Sequence, residues 1–170
     1  MDVISRYPLR VLGVGLLSAG ALWCGSWGYE LQGRSLLAIA QEPAPIRLRN
    51  GKAEANGQTA GERSLAEMVG RDRRRKVCLG YAALEPNHRL TLDRQASQLR
   101  ISVESEGKDT TLLILGPRGV DCNDNYRRGD RDAAVSDRNW PAGDYQIWVG
   151  AFEAGDRIDY QLRITTSDER

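Results

Sequence analysis

Oxygen-bearing side chains crowd residues 121–132 at the spacing that calcium-binding loops use. Asp121, Asn123 and Asn125 alternate along the chain, and Asp132 stands at the twelfth position of the stretch. Calcium takes six to eight oxygen ligands, so a second loop or backbone carbonyls would have to complete the site. The predicted ligands therefore come from two loops, and they are Asp109, Asp121, Asn123, Asp124 and Asn125.

Two features of the same stretch favour a simpler interpretation. Tyr126 occupies the sixth position, where a calcium loop needs glycine for its sharp turn, and Arg127 and Arg128 bring positive charge close to the ligands. The alternative is a polar turn held by internal Asp–Arg pairs. Calcium is thus the one cofactor hypothesis that the sequence offers, and a metal-free turn is its alternative.

The placement of cysteines indicates an oxidising compartment. The chain has three cysteines, and removal of an N-terminal segment carrying Cys24 would leave Cys78 and Cys122 as an even pair. Such pairs in exported proteins are usually disulfides. A metal-binding thiolate pair is the competing interpretation, but the only histidine is His88 and no further cysteine is near. We therefore predict a Cys78–Cys122 disulfide.

No combination of residues in the chain predicts catalysis. A serine-type site would have to use His88, which follows a Pro-Asn turn at the entrance of a predicted strand, and the chain has no Gly-x-Ser-x-Gly turn. The many aspartates are also ordinary turn residues. The sequence therefore predicts a protein that is not an enzyme and has no catalytic residues.

Aromatic residues gather in the stretch 140–152, around which the predicted strands are organised. Trp140, Trp148 and Phe152 are candidates for a platform that stacks on a ligand such as a sugar ring. The alternative is that these rings belong to the core, as aromatic residues of a sandwich more often do.

Short runs of alternating apolar and polar residues, separated by turn signals, predict an all-β fold. In one of them Leu99, Ile101 and Val103 face one way and the polar residues between them face the other. The run 112–115 is apolar on both faces and is expected to lie centrally or under a covering loop. Regularly spaced short strands are typical of a β-sandwich or barrel. The predicted strands are 77–82, 88–92, 98–104, 110–115, 144–150 and 160–165.

The first 40 residues have the order of an export signal. Arg6 and Arg10 precede an apolar run, 11–23, and Ala38-Ile-Ala40 offers a small-x-small cleavage site. We predict a signal peptide over 1–40 and a mature protein in the periplasm or outside the cell. The alternative is an uncleaved inner-membrane anchor facing the periplasm, because the nearly uncharged run approaches the length that spans a bilayer.

Residues 41–76 are predicted to be a polar, flexible linker with a possible edge strand at Ile46 and Leu48. They are too poor in apolar side chains to offset their own ordering entropy. The basic run 71–76 is interpreted as a solvated cluster ahead of the first strand. Removing residues 1–40 leaves equal numbers of acidic and basic residues, so nucleic acid is not an expected partner. The domain would then cover 77–166, followed by a tail, 167–170.

Six segments carry a family resemblance: Cys78-Leu-Gly-Tyr81, Pro86-Asn-His-Arg-Leu-Thr-Leu92, 109–117, Cys122-Asn-Asp-Asn125, 142–150 and 160–164. In this order they resemble the bacterial pre-peptidase C-terminal domain, in particular its exported single-domain relatives of cyanobacteria. The resemblance covers residues 75–166 and implies a jelly-roll-like antiparallel β-sandwich of about seven to nine short strands. It also implies a domain that accompanies secreted proteases and other exported enzymes, and that in some members binds calcium.

Together these features predict an exported, non-catalytic binding or structural module. Its partner would be a protein or polysaccharide of the extracytoplasmic space. The chain would contact the membrane only if its N-terminus stayed uncleaved. The alternative is an accessory or inhibitory partner of a separate secreted hydrolase such as a protease. A carbohydrate binder should expose aromatic side chains on one sheet face, whereas a hydrolase partner should present a protruding loop or an apolar patch.

Overall fold

The computed structural model describes residues 44–167, which form two β-sheets and one short helix. The prediction of an all-β sandwich is confirmed, with more strands than expected because several have only two residues. The predicted signal or anchor, 1–40, lies outside the described residues. The elements are β1 (Ile46–Arg47), β2 (Lys52–Gln58), β3 (Arg63–Ser64), α1 (Leu65–Met68), β4 (Tyr81–Ala82), β5 (His88–Leu92), β6 (Ala96–Glu104), β7 (Thr110–Gly116), β8 (Gly119–Asn123), β9 (Ala134–Trp140), β10 (Gly143–Ala151) and β11 (Asp159–Thr166).

Strand β10 organises the larger sheet, which we call sheet A. Along one edge β10 pairs antiparallel with β5 and then with β4, and along the other it pairs with β7, which in turn pairs with β8. Strand β1 extends the sheet beyond β5 in parallel, and β3 extends it beyond β4. The smaller sheet B has the antiparallel order β2-β11-β6-β9.

The main core lies between the two sheets and follows from the period of two in each strand. On β10, Tyr145, Ile147 and Val149 point inward and are buried, opposite Leu99 and Leu162 of sheet B. Removing large apolar side chains from water is the main favourable term in folding, at about 25 cal/mol per Å² of apolar surface. This alternation sends the intervening residues of β10 to the outer face of sheet A.

The predicted flexible linker differs from the structure. Strand β2 pairs with β11 along its whole length, from Lys52 opposite Thr165 to Gln58 opposite Asp159. Most of residues 44–76 therefore belong to the folded domain. The predicted first strand is shorter than expected, because only Tyr81 and Ala82 pair with neighbouring strands.

Residues 65–80, between β3 and β4, cover part of the outer face of sheet A and form a second, smaller core with it; we call them the covering segment. Leu65 of α1 packs there beside Leu113 of β7 and Trp148 of β10. The run 112–115 thus lies centrally and partly under a covering segment, as predicted. Within residues 44–167 no helix is long and apolar enough to cross a membrane.

Candidate functional site

The other part of the outer face of sheet A is an open groove. Gln146 on β10 lies between Arg89 of β5 and Leu115 of β7, so a cation, an amide and an apolar side chain follow each other across three adjacent strands. In the next row, the Thr91 hydroxyl donates a hydrogen bond of 2.6 Å to the Asp144 carboxylate. The groove has a volume of about 640 Å³ and is lined by Ala44, Pro45, Arg89, Thr91, Leu115, Gly116, Asp144, Tyr145 and Gln146.

The second core walls off one end of this groove. Trp148, two residues beyond Gln146 on the same face of β10, is only 7% exposed. The wall is fastened by the predicted disulfide: Cys78 and Cys122 are bonded, with their Cα atoms 5.6 Å apart. The bond joins the covering segment to β8. It therefore holds the segment in place over one part of the outer face and leaves the other part open.

Residues 83–87 form an anchored loop next to the wall. The Trp148 indole Nε1 donates to the Leu84 carbonyl at 3.3 Å, and the Val149 amide donates to Asn87 Oδ1 at 2.9 Å. These bonds hold the loop against β10 while the Leu84 side chain stays 65% exposed. Leu79 and Phe152 are also exposed near the same end of sheet A. Large exposed apolar side chains held by an ordered backbone are typical of protein contact sites.

The groove presents charged, polar and apolar side chains. A guanidinium, an amide, a carboxylate and a leucine offer hydrogen bonds, charge and apolar contact, and the described residues that line the groove include no His, Cys or Ser. His88 lies on the inward side of β5, where its Nε2 is 2.9 Å from the Tyr160 hydroxyl oxygen. Burial lowers the pKa of the His88 imidazole and raises the pKa of the Tyr160 phenol, so both groups are neutral at pH 7.

The aromatic platform expected from the sequence is not formed. Trp140 is fully buried, with its indole Nε1 donating to the Asp137 carbonyl at 3.1 Å and its ring packed on Tyr145. Trp148 is buried in the second core, and Phe152 alone of the three is exposed, at 40%. The two tryptophan rings belong to the cores: Trp140 fills space between the sheets, and Trp148 fills space beneath the covering segment.

The five residues predicted to bind calcium do not converge on one site. The described residues contain no group of three or more His, Cys, Asp or Glu side chains that could hold a metal ion. Asp121 is buried on β8, where its carboxylate faces Arg73 and Arg118, and Asp124 pairs with Lys76 at 3.3 Å.

Two of the remaining predicted ligands, Asn123 and Asn125, also have protein partners. Asn123 Oδ1 accepts the Asn125 amide hydrogen at 3.0 Å, which closes a polar turn. The Asn125 side-chain amide donates to Asp124 at 3.1 Å. Asp109 directly precedes β7, and its carbonyl accepts a hydrogen bond of 3.0 Å from the Phe152 amide, whereas its carboxylate oxygen Oδ1 is buried without a hydrogen-bond partner among the described residues. The geometry is therefore that of the alternative, a turn held by internal pairs.

Five of the six residues in the basic run 71–76 are exposed to solvent, and two of them, Arg73 and Arg74, also join an ion network between the sheets. Arg73 Nε donates to Asp121 of β8 at 2.8 Å, and Arg73 and Arg74 both contact Asp137 of β9. Arg118 Nε lies 3.0 Å from Asp121, and its Nη2 lies 2.5 Å from Asp137. Because β8 belongs to sheet A and β9 to sheet B, the network closes one side of the sandwich.

Comparison with known proteins adds little to this geometry. No protein-family model and no curated protein matches the chain. Among solved structures, the chain is similar to PliG of Aeromonas hydrophila, a periplasmic lysozyme inhibitor of g-type lysozyme. The identity is 14% and the TM-score 0.44, over 72% of this chain and 94% of that chain. The fold assignment rests on the strand pairing described above, not on this similarity.

Proposed function

We propose that the chain is an exported, non-catalytic module that binds a polypeptide partner in the groove on sheet A. The observation that carries the proposal is the row Arg89, Gln146 and Leu115, which presents charge, amide and apolar groups side by side on three paired strands. Rigid strands hold such groups in place before the partner arrives, which lowers the entropy cost of binding.

The chemistry of the row favours a polypeptide over a polysaccharide. A glutamine amide both donates and accepts, so Gln146 can bond to the backbone of an extended peptide. Leu115, 37% exposed, offers apolar contact to a side chain of that peptide. Sugar rings would call for exposed aromatic faces, and the tryptophans predicted to supply them are buried.

Export is supported by two independent features of the chain. One is the order of charged, apolar and small residues in 1–40, which is typical of a signal peptide. The other is the Cys78–Cys122 disulfide, a bond that persists in oxidising compartments and is rare in the cytosol. The periplasm or the cell exterior is therefore the proposed location.

A narrower proposal makes the partner a secreted hydrolase that this chain assists or inhibits. The anchored loop 83–87 favours it, because Leu84 is exposed on a backbone held by Trp148 and Val149. We also propose that the chain is related to the pre-peptidase C-terminal domain, which it resembles and which accompanies secreted proteases. That relation would make the partner a protein of the same class.

The test is capture with matched variants. The chain is immobilised and exposed to extracytoplasmic proteins of its host, and Kd of each captured protein is measured by calorimetry. Leu115→Asp and Gln146→Arg should weaken groove binding at least about tenfold, or about 1.4 kcal/mol. Gln161→Arg on the outer face of sheet B is the control and should change nothing. Equal binding by all variants contradicts the groove, and retention on polysaccharide instead of protein contradicts the partner class.

A further inference from the structure

Strand β2 is an open edge, and this sets it apart from the other edges of the sandwich. In sheet B the opposite edge, β9, is closed by the ion network that Arg73 and Arg118 make with Asp137. In sheet A the edge strands β1 and β3 have two residues each. The third edge of sheet A, β8, has five residues and is partly covered, because the Arg73 amide donates a hydrogen bond of 2.9 Å to the Val120 carbonyl. Strand β2 has seven residues and no proline. An open edge of this length is a template for pairing with another strand.

Hydrogen bonds at the start of β2 show which way its backbone groups point. Lys52 exchanges two backbone hydrogen bonds with Arg49, of 2.9 and 3.1 Å, on the side away from β11. The preceding carbonyl, of Gly51, accepts the Thr166 amide of β11 at 2.8 Å, on the opposite side. The direction of the backbone groups thus alternates from residue to residue, as in any antiparallel ladder.

This alternation assigns the outward groups. Glu54, Asn56 and Gln58 have the same parity as Lys52, so their N–H and C=O groups point away from β11. Strand β11 is the one strand that pairs with β2 in residues 44–167, and no backbone hydrogen bond to the outer side of these three residues is present there. The edge therefore offers three donors and three acceptors in a row.

We propose that two copies of this chain pair antiparallel along β2, about a two-fold axis at Asn56, and join their four-stranded sheets into one. Asn56 then faces Asn56 of the second copy, and Glu54 faces Gln58. This register uses all three outward residues of both strands. An axis at Ala55 would put Gln58 opposite Lys52, which Arg49 already engages, and an axis at Glu54 would oppose two carboxylates.

The side chains of β2 fit the same register. On the outer face the cross-strand pairs are amide with amide and carboxylate with amide, which hydrogen-bond without like-charge repulsion. On the inner face Ala53, Ala55 and Gly57 are small and allow close approach. Ile46, Leu48 and Ala53 are only partly buried against the core at this side of the sandwich, and a second sheet would cover them further.

The experiment is sedimentation equilibrium of the chain as isolated from its host, together with amide hydrogen exchange. We expect dimers whose Glu54, Asn56 and Gln58 amides exchange more slowly as concentration rises. Asn56→Glu opposes two carboxylates at the axis and should raise the dissociation constant about five-fold or more. Gln161→Glu is the matched control, because Gln161 is the partner of Asn56 on β11, one strand inward.

Each result decides the proposal. Slower exchange at the three outward amides, with a weaker dimer for Asn56→Glu and an unchanged one for Gln161→Glu, supports it. A monomer up to about 1 mM, well above the range of specific dimers, overturns it. So does a dimer in which those amides exchange as fast as in the monomer, or one that both substitutions affect equally.

Discussion

His88 of sheet A and Tyr160 of sheet B meet across the core, with Nε2 of the imidazole 2.9 Å from the phenol oxygen and the rings edge to face at 5.8 Å. The contact is a polar link between the two sheets, and burial lowers the pKa of the imidazole, which favours its neutral form there. The single histidine of the sequence, which a serine-type site would have had to use, therefore has a structural place in the fold.

The first prediction concerns pH. Burial lowers the pKa of the His88 imidazole in the folded chain, whereas the unfolded chain keeps the ordinary value of about 6.5. As the pH falls, the unfolded state takes up the proton first, so the contribution of His88 to stability is complete above about pH 6.5 and is lost below it. Urea denaturation at about pH 7.5, 6.5 and 5.5 should show this loss. In His88→Gln the slope over the same interval should be flatter, and an equal slope would contradict the assignment.

The second prediction concerns the disulfide. Cys78 and Cys122 close a loop with a sequence separation of 44, and the bond also fixes the covering segment on Trp148. Reduction, or Cys122→Ser, should lower the free energy of unfolding by about 2–4 kcal/mol. The control is the double variant Cys78→Ser with Cys122→Ser, whose stability a reductant should leave unchanged. If reduction costs the wild type nothing, the covering segment is held by packing alone.

The third prediction concerns Asp137. Burial opposes ionisation of this carboxyl, but hydrogen bonds from the Arg138 amide and Arg118, with the charges of Arg118 and Arg74, more than offset it and lower its pKa. The contribution of Asp137 to the free energy of unfolding is thus present above about pH 4 and is lost below it. This pH range is separate from the one in which His88 acts. Asp137→Asn leaves the arginines facing each other and should cost about 1–3 kcal/mol.

The control for Asp137 is the exposed ion pair Arg47–Asp93, whose side chains are 56% and 72% exposed. Solvent screens such a pair, so Asp93→Asn should change stability by no more than about 0.5 kcal/mol. Thermal denaturation at neutral and acid pH measures both variants. Equal losses in the two variants would show that the network between β8 and β9 does not close the sandwich.

Strands were predicted correctly where large apolar side chains alternate with polar ones. Strands β2 and β8, whose side chains are mostly small or polar, were not predicted as strands. Strand β8 was interpreted as part of a calcium loop because Asp121 and Asn123 alternate with a period of two. That period is also the period of a strand, and the cations that partner Asp121 come from residues 73 and 118, which only the folded chain brings together.

The groove could not be predicted for a related reason. In the sequence Gln146 alternates with Tyr145 and Ile147, so the period of a strand places it on the other face from these two residues. That it lies between Arg89 and Leu115 depends on the register of three strands from distant parts of the chain. Register is set by pairing and packing between strands, which a single sequence does not display.

The prediction of a flexible linker was wrong because strand β2 pairs with β11 through its backbone, while a side chain of β11 fills the core space beneath it. A Cβ atom added at Gly57 would lie 2.3 Å from the Tyr160 hydroxyl oxygen and 2.5 Å from the ring carbon that carries it. Tyr160 thus fills the space that a large side chain of β2 would otherwise occupy. A strand of this kind looks polar and small in the sequence although it lies over a packed core.

The last prediction follows from that contact. Gly57→Ala must displace the Tyr160 ring, which also carries the hydroxyl that bonds His88, and overpacking of this kind costs about 1–3 kcal/mol. Lys52→Ala, exposed at the start of β2, is the control and should stay within about 0.5 kcal/mol of the wild type.

A double-mutant cycle with Tyr160→Leu separates the clash from any general effect of alanine in an edge strand. Leucine is smaller than the tyrosine ring and leaves room for the new methyl group, so Gly57→Ala should cost clearly less in that background than in the wild type. The difference is the coupling energy between the two positions, expected at about 1 kcal/mol or more for residues in direct contact. Urea denaturation of the wild type, the two single variants and the double variant at neutral pH measures this coupling energy. A cost of Gly57→Ala that is the same in both backgrounds would mean that Tyr160 does not fill the space over β2.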